Sequence, residues 1–294
     1  MSTATATLKT GTATATLGTG SLNASVKGGA TLTANLKEAG AVASGYGTEY
    51  QAVYDALTTP PGATVAGYQN TMVEALVDAG YWAGLDIFYC FAQTTNGAGE
   101  ALVNWINPAL YAATAYNSPA FVALEGFTSD GTTAYIDTGI NFGDGGTYNF
   151  ARDDAMIGVY IKTNVIETRV EFGVLGLGDV YFYVSAGNAA MRINDDSNLL
   201  IAHADSRGMW LVTRTGANKN LFRNGATLGN KNTSSTGVVN ADMYLLAWNN
   251  NGPGLFSNRQ VSFWFAGKFS TMDAAAITTI IETYMDANGK GVIT

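Results

Sequence analysis

The sequence predicts a mainly β protein: a C-terminal antiparallel jelly-roll sandwich, a small helical collar, and an N-terminal β-repeat arm completed by partner chains. Three observations predict it. Charged residues make up 13% of the chain against 35 glycines, a composition that favours short strands joined by tight turns. The opening forty residues repeat every nine. From about residue 118, strand-like runs alternate with Gly, Asn and Asp spacers.

The arm, residues 1–42, reads TATATLKTG, TATATLGTG and SLNASVKGG in succession, with a slipped fourth copy, ATLTANLKEAG. Leu8, Leu17 and Val26 recur at the same place in each repeat, and Leu36 is their counterpart in the fourth. Small and apolar residues alternate within each copy before a glycine, the pattern of a strand and then a turn. Such strands bury little. At ~25 cal/mol per Å² of apolar surface, Ala and single Leu or Val residues do not offset ~1–2 kcal/mol of backbone entropy per ordered residue. The arm is therefore either disordered or completed by other chains, and the regular Leu/Val positions favour completion.

The collar, residues 43–117, shows helical periods. Thr48 is placed as N-cap of a helix bearing Tyr50, Val53, Tyr54 and Leu57 on one face, stopped by Pro60-Pro61-Gly62. A second helix is expected from about 63 to 79, with Gly80 ending it. GYWAGLDIFYCFAQ follows as a short apolar segment holding the only cysteine, Cys90, which reads as a small buried hydrophobe.

The head, residues 118–294, carries the runs AMIGVYIKT, DVYFYVSA, GMWLVTRT and QVSFWFAGKF, among others. Many short strands with such turns mean an antiparallel sandwich or jelly roll. A last helix is expected over 273–287, capped by Asp273 and ended by Asn288-Gly289.

In GFTSDGTTAYIDTGI, the residues Phe127, Asp130, Gly131, Tyr135 and Ile136 match the opening phrase of concanavalin A-like (laminin G-like) jelly rolls. The turn Leu221–Gly225 within GMWLVTRTGANKNLFRNG fits the same plan. The wider pattern over 47–294 resembles virion proteins of tailed phages, as head or tail fibres or accessory capsid proteins. That resemblance implies a virion location, an arm that anchors on capsid or tail proteins or joins a homo-oligomer, most simply a trimer, and an outward jelly roll with host-surface glycan as a further partner.

Chemistry is sparse. One histidine and one cysteine exclude the common zinc sites, and His203 in LLIAHADS reads as a packed strand residue. No G-x-S-x-G elbow is present. Glu167 and Glu171 in ETRVE would lie ~13 Å apart on an extended strand, beyond the ~5–9.5 Å of glycosidase carboxylates. Asp153-Asp154 and NDDSN at 194–198 supply hard oxygens but read as turns. The expectations are accordingly no catalytic residue, no enzyme, no metal and no cofactor.

Carbohydrate binding remains. Trp248 followed by Asn249, Asn250 and Asn251 is the leading candidate loop, and Asp195 and Asp196, with Asn198, come next. The plain alternative is a core tryptophan followed by an ordinary turn. The net charge of −8 argues against nucleic acid. No run of about 18 apolar residues predicts a membrane span, and no secretory signal is recognised. The main functional expectation is a non-enzymatic virion structural protein. The alternative is a stand-alone carbohydrate-binding module or glycosidase.

Overall fold

The computed structural model describes residues 4–8, 22–26, 45–165, 167–185 and 187–294. They fall into two compact units, Met1–Tyr46 and Gly47–Thr294.

In the first unit, β1 (Ala4–Leu8) pairs in parallel with β2 (Leu22–Val26). Ala4 lies opposite Leu22 and Leu8 opposite Val26, so the first repeat aligns with the third, position for position. The pairing lies within one chain. Leu17 and Leu36 lie outside the described residues.

The second unit begins with α1 (Thr48–Ala56), α2 (Ala63–Asp78) and β3 (Leu85–Cys90). Then come β4 (Thr114–Tyr116), β5 (Ala120–Val122), β6 (Gly126–Thr128), β7 (Tyr135–Asp137) and β8 (Asp154–Ile161). Next are β9 (Phe172–Val174), β10 (Val180–Ser185), β11 (Asn188–Arg192), β12 (Leu199–Ala202) and β13 (Gly208–Thr215). The last strands are β14 (Asn218–Arg223), β15 (Ala226–Asn232), β16 (Tyr244–Leu245), β17 (Trp248–Asn249), β18 (Pro253–Gly254) and β19 (Gln260–Gly267), before α3 (Ala274–Ala287).

Two sheets stack. One runs β12-β11-β10-β9-β16-β7-β4, with the β17–β18 hairpin attached to β9. The other runs β15-β14-β13-β8-β19-β6-β5, with β3 on the same edge of β19 as β6, farther along the strand. Between them lies one core that includes Ile157, Val159, Phe172, Phe182, Trp210 and Trp264, each side chain contributing roughly 1.5–3 kcal/mol by burial.

The second sheet is apolar on both faces. Tyr160, Met209, Leu211, Phe263 and Phe265 point away from the core and are still buried. Helices cover them: the Tyr284 ring of α3 meets Phe263 edge-on at 5.7 Å, and its hydroxyl donates to the Ala92 carbonyl at 2.8 Å. The stretch expected as a separate collar is built into this layer. Phe88, Tyr89 and Cys90 are fully buried because β3 pairs with β19 along Phe263–Gly267. Thr48 is the first helical residue and Gly47 the cap, its N–H donating to Asn70 Oδ1 at 2.7 Å. Asp273 caps α3 as expected, accepting from the Ala275 and Ala276 N–H groups at 2.8 Å.

Candidate functional site

Among the described residues, no helix covers the outer face of the first sheet. Phe172, Val174, Val180, Phe182, Ile136 and Leu245 point into the core, so strand alternation turns their neighbours outward. Across the strands the register places Asp137 opposite Tyr244, Tyr244 opposite Gly173, Gly173 opposite Tyr181, and Tyr181 opposite Arg192. Residues facing one another in this way share a face.

The result is a rack of aromatic rings. Tyr116, 43% exposed at the sheet edge, stacks on Tyr135 at 4.9 Å and 6°. Tyr135 in turn lies 4.8 Å from the half-buried Tyr244 and 6.3 Å from Phe256. Further across, Tyr181 and Tyr183 stack at 5.9 Å, with the Arg192 guanidinium 5.3 Å over Tyr181 and paired to Asp179. Gly173 sits in the middle because nothing larger fits. A Cβ there would come to 2.9 Å from Tyr181 Cβ and 3.2 Å from Trp248 Cβ.

Trp248 pairs in parallel with Gly173 and so joins this face, half-buried, with Asn249 beside it. Asn249 Nδ2 donates to the Asp242 carbonyl at 2.9 Å, which ties the hairpin to the strand end before Tyr244. Asn250 and Asn251 form the exposed tip. The predicted loop is a turn whose Trp248 joins this aromatic face, where Tyr135 and Tyr181 are buried and Tyr116 is exposed.

Two carboxylates flank the rings. Burial, reinforced by the charge of Asp242, pushes the Asp137 carboxyl above the ordinary carboxylate range. Burial, then the charge of Asp137, pushes the Tyr244 phenol up to about 12. Tyr244 thus keeps its proton at neutral pH. Rings that present apolar surface beside fixed donors and acceptors suit a ligand that is apolar on its faces and hydroxylated on its rim.

Asp195 does not belong here. It is fully buried and pairs with both Arg214 and Lys219, Lys219 Nζ at 2.7 Å. The 194–198 loop folds back over β13 and β14, and Asp195 neutralises the two cations under it, so it is unavailable to a ligand. Asp196 is exposed but stands on that loop, away from the Trp248 hairpin in sequence and sheet.

Glu167 and Glu171 also depart from expectation. Ser257 Oγ lies 2.9 Å from an oxygen of each, so those oxygens are no more than twice that distance apart. The stretch before Phe172 is not extended strand: only Val170 makes an isolated bridge, to Phe256, and the bend brings both acids to Arg259. Glu171 and Arg259 are fully buried and paired, and Arg259 also donates to the carbonyls of Val165, Glu167 and Val184. The group clamps loops together and has no surface for a sugar.

Asp153 accepts from Ser235 Oγ at 2.6 Å, and Asp154 from the Phe269 and Ser270 N–H groups at 2.9 and 2.8 Å. Among the described residues, no three His, Cys, Asp or Glu side chains cluster to hold a metal. Tyr116, Tyr244, Asp137 and Asp242 were not singled out from sequence, and Tyr135 only as part of the jelly-roll phrase. Their signal was present in TAY, AYIDT and DMYLL, where Tyr or Asp alternates with an inward apolar residue.

No protein-family model matches the chain, and no curated protein does. Solved structures match at the level of fold. Trypanosoma rangeli sialidase in complex with 2-keto-3-deoxy-D-glycero-D-galacto-2,3-difluoro-nononic acid is 10% identical with a TM-score of 0.50, over 78% of this chain and 40% of that one. A mutant of the same sialidase displaying trans-sialidase activity is 13% identical at TM-score 0.49, over 78% and 40%. The botulinum neurotoxin serotype D binding domain is 11% identical at TM-score 0.47, over 67% and 52%. This chain spans about two fifths of the sialidase's length and half of the neurotoxin domain's. The mainly β sandwich stands. The virion assignment finds no support among these neighbours. The expectation of a non-enzyme is corrected as well, because the fold occurs within sialidases, and a missing sequence motif does not set this chain apart from them.

Proposed function

We propose that Gly47–Thr294 is a carbohydrate-recognition module that binds a glycan on the open face of the first sheet. The observation that supports it is the Tyr116–Tyr135–Tyr244 rack with Asp137, Asp242 and Asn249 around it, on the one sheet face that no helix covers. The sialidase fold match is consistent with this reading and adds no residue to it. A glycan array identifies the ligand class, and titration of Tyr116→Ala and Tyr244→Ala locates it. Loss of about tenfold or more in affinity is expected when a stacking ring is removed (~1–3 kcal/mol for ring stacking, the scale measured for bases). Unchanged affinity in both variants sinks the assignment. The raised Asp137 carboxyl beside Asp242 also suits proton donation to a glycosidic oxygen. Release of reducing sugar that disappears in Asp137→Asn extends the face from binding to cleavage.

A second reading concerns the arm. We infer that it assembles copies of the chain. The parallel alignment of repeat one on repeat three supports this, because a two-stranded ladder is marginal alone and its edges accept further strands. Light scattering of the full chain tests it: a mass of 30.8 kDa at all concentrations would count against assembly.

A further inference from the structure

A second depression lies elsewhere on the sandwich, between the segment 104–111 and the segment 146–148, at the start of β3. It encloses about 350 Å³, at the small end of the ~300–1,000 Å³ common for ligand sites. It shares no residue with the tyrosine rack.

The walls are fixed from below. Asp86 accepts from the backbone N–H groups of Asn149 and Phe150, both at 2.7 Å, and so holds the 141–150 loop on β3. Asn104 does the same for the other wall: its Oδ1 accepts from Phe88 and Ile106 N–H, both at 3.1 Å, and its Nδ2 donates to the Leu110 carbonyl at 3.3 Å. Tyr89 Oη donates to the Tyr111 carbonyl at 2.6 Å. Tyr111 has φ +56°, a left-handed conformation that is costly for an aromatic residue and concentrates at functional positions. The two phenols Tyr111 and Tyr148 meet at 3.0 Å, and Tyr148 also donates to Asp144 at 3.1 Å. Tyr148 spends its proton on Asp144, so Tyr111 donates to Tyr148.

The remaining polar capacity faces the depression. Asn107 uses its Oδ1 on the Ala109 N–H at 3.2 Å, which leaves its Nδ2 as a donor. Thr147 offers an exposed hydroxyl, and Asp86 contributes a half-buried carboxylate to the lining. Leu110, 52% exposed, gives the rim an apolar surface. The lining holds a carboxylate and no lysine or arginine, and only Lys268, outside it, tempers the charge of Asp86. An anionic ligand is therefore disfavoured. A neutral, hydroxyl-rich ring with an apolar face matches every group present.

We propose that this depression is a second binding site, for one neutral hexose unit. The test is a ¹⁵N–¹H titration of the full chain with the methyl glycosides of glucose, galactose and mannose, and separately with N-acetylneuraminic acid. At least one neutral glycoside is expected to shift the Asn107, Gly146 and Thr147 amides saturably, while the acidic sugar does not. Asn107→Ala and Thr147→Val, both at exposed positions, are expected to weaken that binding about fivefold each, the contribution of one hydrogen bond. Tyr116→Ala is expected to leave it unchanged, so failure here is distinct from failure of the open-face reading. The proposal is overturned if no neutral glycoside gives saturable shifts at these amides. It is equally overturned if the acidic sugar binds there as well, or if both variants bind as the parent does.

Discussion

Arg259 shows how much of this molecule rests on single buried ions. It is fully enclosed, pairs with Glu171, and donates to the carbonyls of Val165, Glu167 and Val184. Removing one partner of a buried pair strands the other charge, at a cost of about 3–5 kcal/mol. Arg259→Met should lose that much in urea unfolding, and Arg259→Met/Glu171→Leu should recover part of it. A single-variant loss under ~1 kcal/mol would show that water reaches the pair. Asp130 works in the opposite way, at the surface. Its carboxylate accepts from the Ala134, Thr133 and Thr132 N–H groups, and these bonds hold its pKa well below the ordinary 3.8. A depressed folded-state pKa gives stability that is present above the unfolded value and lost as pH falls below it. Asp130→Asn should therefore lower the melting temperature at neutral pH, and the gap should begin to narrow below about pH 4 and shrink further as pH falls toward the folded-state value. A gap that stays constant with pH would mean the amide replaces the lost bonds. Neither role was legible in sequence. Asp130 appeared only as a matched turn residue, and Asp195 appeared as a ligand group, because an exposed Asx turn and a buried counter-ion look alike until their neighbours are known.

Elements were readable where their signals are local. The Asp273 cap, the apolar stripe and the Asn288-Gly289 stop all lie inside α3 or next to it, and the helix ends where they place it. The β14–β15 turn was equally plain, since Asn224 and Gly225 adopt the positive φ values of +51° and +79° that their residue types allow. What failed depended on distant partners. Gly47 replaces Thr48 as cap through Asn70, and the apolar segment at 85–90 becomes a strand because β19 offers it a partner more than 170 residues away. The α3 dock provides the test at this scale. Tyr284 is buried at the junction of α3 with the sheet, its hydroxyl on the Ala92 carbonyl. Tyr284→Phe keeps the ring against Phe263 and leaves that carbonyl unpaired, for an expected loss of about 1–3 kcal/mol. Equal stability of parent and variant in urea would show that another donor reaches Ala92.

At the scale of the molecule, the proposed function rests on an asymmetry between two sheets. One has apolar residues on both faces and carries α3 on its outer side, while the other keeps tyrosines and aspartates outward and, among the described residues, has no helix over it. Strand periodicity shows that a face exists. It does not show which face a helix covers, since that depends on packing between segments far apart in sequence. The same division predicts what the arm contributes. Among the described residues, the hydrophobic core cluster lies within Gly47–Thr294, so a chain beginning at Gly47 should fold, with the melting temperature of the full protein to within a few degrees (less than ~1 kcal/mol). Its affinity for a soluble monovalent glycan should also be unchanged. Retention on a surface bearing many copies of that glycan should fall by about two to four orders of magnitude, because linked sites gain from effective concentration and single ones do not. Surface plasmon resonance on dense and sparse glycan coatings reads both quantities. Equal retention of the two chains on the dense coating would remove the arm from the binding mechanism and leave the open sheet face to act alone.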